Sequence, residues 1–296
     1  MVEFCVIGDI QIAYETFGNE TQEAMVLLSG LGGEMRDWPE EVVSQLTDAG
    51  FFIIRIDHRD SGASSEISSP VDVISAFLGN KTAAAYTLRD MAGDMKAVLD
   101  NLGISSVHMV GVSMGAMVAQ QFCVDFPAYV RSLCSIMSTT GARNVGQPSA
   151  EVVAAVLSGV APELKKGGDP AATQGKNTIE AILELGDLEQ VKASIEKTAS
   201  NAPDLEQILR QLAAVFASGD RTEALRQLKI PTVVIHGDSD SVVDVSGGVA
   251  THEAISGSKL FIIPGMGHEI RPEHWPRIRD ALLENVEASR GFFSDS

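Results

Sequence analysis

From its first residues the chain alternates short apolar runs with polar, glycine-marked turns. Residues 3–7, 10–17 and 24–29 each carry the pattern of a strand, with Gly8-Asp9 and Gly18-Asn19 at the turns between them. Residues 51–56 are apolar except for Arg55, and 106–110, 132–137, 231–235 and 259–263 are comparable runs, making eight predicted strands. Between the later strands the spacing changes to that of a helix. Asp37, with Pro39 and Glu40 behind it, reads as a helix start ahead of Val42, Val43 and Leu46, and Gly50 as its stop. Thr87 with Asp90 caps a face of Leu88, Met91, Met95, Val98, Leu99 and Leu102 that ends at Gly103. Further helical faces run from Met114 through Met117, Val118 and Phe122 to Pro127, and through Ile278, Leu282 and Val286. Strand and helix in alternation predict an α/β fold, an eight-stranded, mostly parallel sheet with helices on both faces.

Two stretches break that rhythm. Residues 63–82 have no clear period, and the apolar part from Val71 to Leu78 is either a lip over a site or a surface turn packed on the core. Residues 141–220 hold helical segments between glycine and proline breaks, the best formed carrying Leu205, Ile208, Leu209, Leu212, Val215 and Phe216. They are expected to form a helical cap inserted after the sixth strand, into a core domain made of 1–140 and 221–296.

Composition narrows the partners. Of 296 residues, 40 are Asp or Glu against 22 Lys or Arg, and the resulting net charge of −18 argues against nucleic acid and anionic membrane surfaces. The three cysteines, Cys5, Cys123 and Cys134, are widely spaced and give no disulfide framework or zinc spacing, so no metal is expected. The opening MVEFCVIGDI lacks the basic start and long apolar run of a secretory signal, and no stretch is apolar enough for membrane insertion; a cytoplasmic protein is expected. Oligomeric state leaves no mark on the sequence.

The candidate chemistry centres on Val110-Gly111-Val112-Ser113-Met114-Gly115, a serine between close glycines after a predicted strand and before a predicted helix. A turn this tight lifts the serine oxygen above the sheet edge and turns the next N–H, that of Met114, toward it. A serine hydroxyl is a weak nucleophile and needs a base, which in turn needs an orienting group. The strand at 231–235 runs into His236-Gly237-Asp238-Ser239-Asp240, and that at 259–263 into Pro264-Gly265-Met266-Gly267-His268. The order serine, aspartate, histidine thus falls on strand ends along one edge of the sheet, with Asp238 and Asp240 both open as the acid.

Taken together, GVSMG at 111–115, DHRDSG at 57–62, HGDSD at 236–240 and PGMGH at 264–268 resemble the α/β-hydrolases over nearly the whole chain outside the cap, and within them esterases of the aclacinomycin methylesterase kind. The resemblance implies Ser113 as nucleophile, His268 as general base and acid, Asp240 as its partner, and an oxyanion hole made by the N–H groups of Leu31 and Met114. Ser29 stands where the commoner family pattern has a histidine before Gly30, which leaves the side-chain support of that loop open. Met35, Met137, Val242, Val243 and Met266 lie near the expected edge and are candidates for an apolar substrate pocket. The implied activity is cofactor-independent hydrolysis of small to medium, largely apolar carboxylic esters through an acyl-enzyme. A lactonase, a C–C bond hydrolase, a perhydrolase and a noncatalytic receptor on the same fold are the alternatives.

Overall fold

The computed structural model describes residues 1–149 and 203–294. Strands β1 (Glu3–Ile7), β2 (Ile10–Phe17), β3 (Glu23–Leu28), β4 (Phe51–Ile56), β5 (Val107–Val112), β6 (Val130–Ile136), β7 (Thr232–Gly237) and β8 (Lys259–Ile263) form one sheet in the order β1-β2-β4-β3-β5-β6-β7-β8. From β4 across to β8 every neighbouring pair is parallel, while β2 is antiparallel to β4 and β1 to β2. The helices among the described residues are α1 (Glu40–Asp48), α2 (Val73–Phe77), α3 (Leu88–Asn101), α4 (Met114–Asp125), α5 (Pro203–Ser218), α6 (Thr222–Leu225), α7 (Ser246–Ala254) and α8 (Trp275–Ser294).

The two-residue period of the strands sorts the core into two layers. Val26 and Leu28 of β3, with Ile54 and Ile56 of β4, pack against Met91, Met95 and Leu99 of α3 and Val118 and Phe122 of α4. Their strand neighbours Met25, Leu27, Phe51 and Ile53 face the other way, onto Val43 and Leu46 of α1 and Ile278, Leu282 and Val286 of α8. Arg55, the polar break in β4, is 1% exposed and lies opposite Glu15 in the β2–β4 register. Its guanidinium is 2.7 Å from Glu15 Oε2, 2.8 Å from Glu40 Oε1 and 2.7 Å from the Trp38 carbonyl, so the buried charge is both paired and hydrogen-bonded.

Two local expectations change. Helix α1 starts at Glu40 with Pro39 as its N-cap, and Asp37 instead closes the preceding 3-10 turn by accepting from the Glu34 amide at 2.9 Å. Pro39, its φ held at −60° by the ring and its ψ extended at 147°, separates the two turns. Within 63–82 a short helix forms, α2, capped by the Asp72 side chain accepting from Ser75 N, and its Val73, Ile74 and Ala76 pack on Leu209 and Ala213 of α5. Of the expected cap, 150–202 lie outside the described residues, while 203–218 form α5. No helix among the described residues is long and apolar enough to cross a membrane.

Candidate active site

Ser113 is the one residue between the end of β5 and the start of α4, and it has φ 54° and ψ −120°. For a residue with a Cβ that conformation costs about 1–3 kcal/mol and persists only where the surroundings hold it. Here the Ser113 N–H donates to the Ile136 carbonyl at 2.9 Å, and its own carbonyl accepts from Ala116 N at 3.0 Å and Ser138 Oγ at 2.8 Å. The flanking glycines permit the close approach: a Cβ on Gly111 would strike the Gly115 carbonyl, and one on Gly115 the carbonyls of Leu28 and Ser29.

On the same strand edge, the imidazole of His268 stands between Ser113 and Asp240. His268 Nε2 is 3.0 Å from Ser113 Oγ, and His268 Nδ1 is 2.8 Å from Asp240 Oδ2. A carboxylate can only accept, so the proton sits on Nδ1 and Nε2 presents its lone pair to the serine hydroxyl. The other carboxylate oxygen, Oδ1, accepts from the amides of Val242 and Val243, each at 2.9 Å. Asp238 does not reach the histidine; its Oδ1 accepts from Gly265 N at 2.7 Å and Ser239 Oγ at 2.9 Å, closing the turn.

The loop after β3 lies beside the serine, so close that a Cβ on Gly30 would stand 3.3 Å from Ser113 Cβ. The N–H groups of Leu31 in this loop and of Met114, first residue of α4, donate to nothing among the described residues. The arrangement therefore combines a serine, a base oriented by an acid, and unengaged amides next to the serine. Such a set can transfer the serine proton while an attacked carbonyl gathers negative charge.

A family model for the alpha/beta hydrolase fold matches residues 23–161, which hold β3 to β6 and the serine turn. The chain has the α/β-hydrolase fold. It is 30% identical over 125 residues to the rhodomycin D methylesterase DnrP of Streptomyces peucetius, a match covering 42% of this chain and 38% of that relative, so well under half of that protein's length is matched. It is 27% identical to 3-oxoadipate enol-lactonase 2 of Acinetobacter baylyi over 86% of this chain and 85% of the relative. Among solved structures, the esterase RhEst1 from Rhodococcus sp. ECU1013 superposes with a TM-score of 0.64 at 26% identity, covering 99% of this chain and 98% of that one.

Within this fold the Asp240 carboxyl is under opposing influences. Burial favours its neutral form, but hydrogen bonds from His236 and His268 and from the Val243 amide outweigh burial and hold it well below the usual carboxylate range. His236, at the end of β7, is fully buried and donates from Nε2 to the Val243 carbonyl at 2.8 Å. His58, also buried, donates from Nε2 to the Ser29 carbonyl at 3.1 Å, and burial pushes its pKa down to about 4. His108 contacts Ser132 Oγ at 2.8 Å inside the sheet and is likewise lowered by burial, to about 4. Of the five pocket candidates, Val242 is 40% exposed while Met35, Met137, Val243 and Met266 are buried, Met137 and Met266 within the layer under α8. The cleft of about 280 Å³ that opens beside Asp240 is lined by residues of polar type, including Asn144, Gln147, Ser241 and Asp244.

Proposed function

We propose that this protein is a cofactor-independent serine hydrolase of carboxylic esters, with residues 141–220 as its cap. His268 Nε2 takes the proton of Ser113 as the Oγ–carbon bond forms, and the carbonyl oxygen becomes an oxyanion held by the N–H groups of Leu31 and Met114. Collapse breaks the carbon–oxygen bond to the alcohol, which leaves with the proton from His268. Water then gives its proton to His268 and attacks the acyl group, and the released Ser113 recovers that proton. Each oxyanion donor is worth about 3 kcal/mol of barrier in such a site.

The reading is carried by one observation, the continuous relay from Ser113 Oγ through His268 to Asp240 at 3.0 and 2.8 Å. The preference for neutral, largely apolar esters rests on two exposed apolar side chains beside the relay, Leu31 (39%) and Val242 (40%), and on the net charge of −18, which repels anionic substrates. Lactone hydrolysis is a second reading, favoured by the enol-lactonase likeness along 86% of the chain; a lactone is a cyclic ester and uses the same steps. A panel of p-nitrophenyl esters, methyl esters and lactones tests both readings. We expect an initial burst of p-nitrophenol, abolished by prior treatment with a serine-directed organophosphate; turnover that survives full labelling of Ser113 would contradict the reading.

A further inference from the structure

The oxyanion loop is tied to a helix that sequence reading does not connect to it. Gly32 N donates to Gln211 Oε1 of α5 at 2.8 Å, across 179 positions of sequence. Gln211 is fully buried, and its Nε2 donates to the Arg59 carbonyl at 2.9 Å and to Ser61 Oγ at 2.8 Å. Because Gly32 N can only donate and the Arg59 carbonyl only accept, the amide has a single orientation. The helix carrying it is itself anchored: Arg210, one residue before, places Nη2 2.9 Å from Asp60 Oδ1 and Nε 3.1 Å from Asp60 Oδ2, with both side chains buried. Gly32 has φ 68°, and a Cβ there would stand 2.9 Å from Ile208 Cγ1, so the loop also rests on the α5 surface.

On the β3 side of this loop Ser29 Oγ donates to the Glu34 carbonyl at 2.7 Å, and from another element His58 Nε2 donates to the Ser29 carbonyl at 3.1 Å. That bond lies two residues before Leu31, whereas the Gln211 bond fixes the peptide plane immediately after it. We propose that Gln211 is a positioning residue for the oxyanion hole: by holding the Leu31–Gly32 peptide it sets the direction of the Leu31 N–H toward Ser113. This rests on the ester-hydrolase reading, and it makes the seating of α5 on the core a condition for catalysis. The residue acts through Leu31 and touches no reacting atom. Its contribution therefore belongs to the transition state, in which the carbonyl oxygen carries charge, and little of it to substrate binding.

The test compares wild type with Gln211→Leu, Gln211→Asn and Gln211→Glu, each checked for native melting and for Ser113 labelling by a fluorophosphonate. Leu removes the acceptor, Asn withdraws it by one methylene, and Glu keeps an oxygen toward Gly32 and, neutral in this buried site, a hydroxyl that donates to the Arg59 carbonyl. We expect kcat for a p-nitrophenyl ester to fall about tenfold or more in the Leu and Asn variants with KM changed less than about twofold, and the Glu variant to stay within about threefold of wild type. The affinity of an alkyl boronic acid, whose tetrahedral adduct mimics the oxyanion, should fall with kcat. If Gln211→Leu does not fold, Gln211→Asn carries the comparison. Unchanged kcat in the folded variants of an active wild type overturns this inference alone, as does a loss confined to KM. A wild type that neither turns over esters nor binds the boronate overturns the hydrolase reading and this inference with it.

Discussion

The imidazole of His236 lies 3.4 Å from Oδ2 of Asp240, the same oxygen that accepts Nδ1–H of His268. Two imidazoles and two backbone amides thus converge on one buried carboxylate, and they keep it ionised despite its burial. An ionised acid at this point stabilises the imidazolium that forms when His268 takes the serine proton.

His236 therefore acts behind the acid. Replacing it by Phe takes the imidazole away from Asp240 and orphans the Val243 carbonyl, a loss of about 1–3 kcal/mol in stability. We expect kcat to fall several-fold with KM unchanged, read by steady-state kinetics alongside urea unfolding; an intact kcat would limit His236 to packing.

The two aspartates of the β7 loop should separate sharply. Asp240→Asn keeps the shape but leaves the histidine without its acid, and the expected drop in kcat is about a thousandfold or more. Asp238→Asn loses only the turn contacts to Gly265 and Ser239 and should leave kcat within a few-fold. The reverse ranking would reassign the acid.

Much of this arrangement is legible in the sequence, because it depends on local order. The strands are apolar runs bounded by turns, and Ser113, Asp240 and His268 stand directly after them, so a parallel sheet brings them to one edge. What escapes is set by contacts between distant residues. Asp238 and Asp240 share one loop and one chemistry, and only the direction of the chain after Gly237 tells them apart. Gln211 sits among Leu209, Leu212 and Ala213 and has no pattern of its own; its partner Gly32 belongs to a different element. Asp37 has the composition of a helix cap, yet Pro39 forces an extended residue between it and α1, and the carboxylate serves the preceding turn.

Acid should destabilise the fold through its buried histidines. His58 and His108 have folded pKa values of about 4 against 6.5 for an unperturbed imidazole, so the unfolded chain binds their protons first. Stability is complete above about pH 6.5 and is lost as pH falls toward 4, by about 3 kcal/mol for each histidine from the linkage of 1.4 kcal/mol per pKa unit. Urea unfolding at pH 7 and pH 4.5 measures this, and equal stability at the two would contradict it.

The Arg210–Asp60 pair should behave as a buried ion pair. Arg210→Met leaves Asp60 with the Tyr86 hydroxyl at 2.7 Å but without its cation, and the expected cost is about 3–5 kcal/mol. Adding Asp60→Asn should restore part of that loss in denaturant unfolding, because the stranded charge is gone. If the two losses simply add, the residues do not act as a pair.

The central claim is an acyl group carried on Ser113. Protein quenched with acid during turnover of a p-nitrophenyl ester, then digested and analysed by mass spectrometry, should carry a single acyl adduct on the peptide containing Ser113, and Ser113→Ala should show neither adduct nor turnover. Full ester turnover by purified Ser113→Ala, with no acylated peptide in the wild type, would contradict the account.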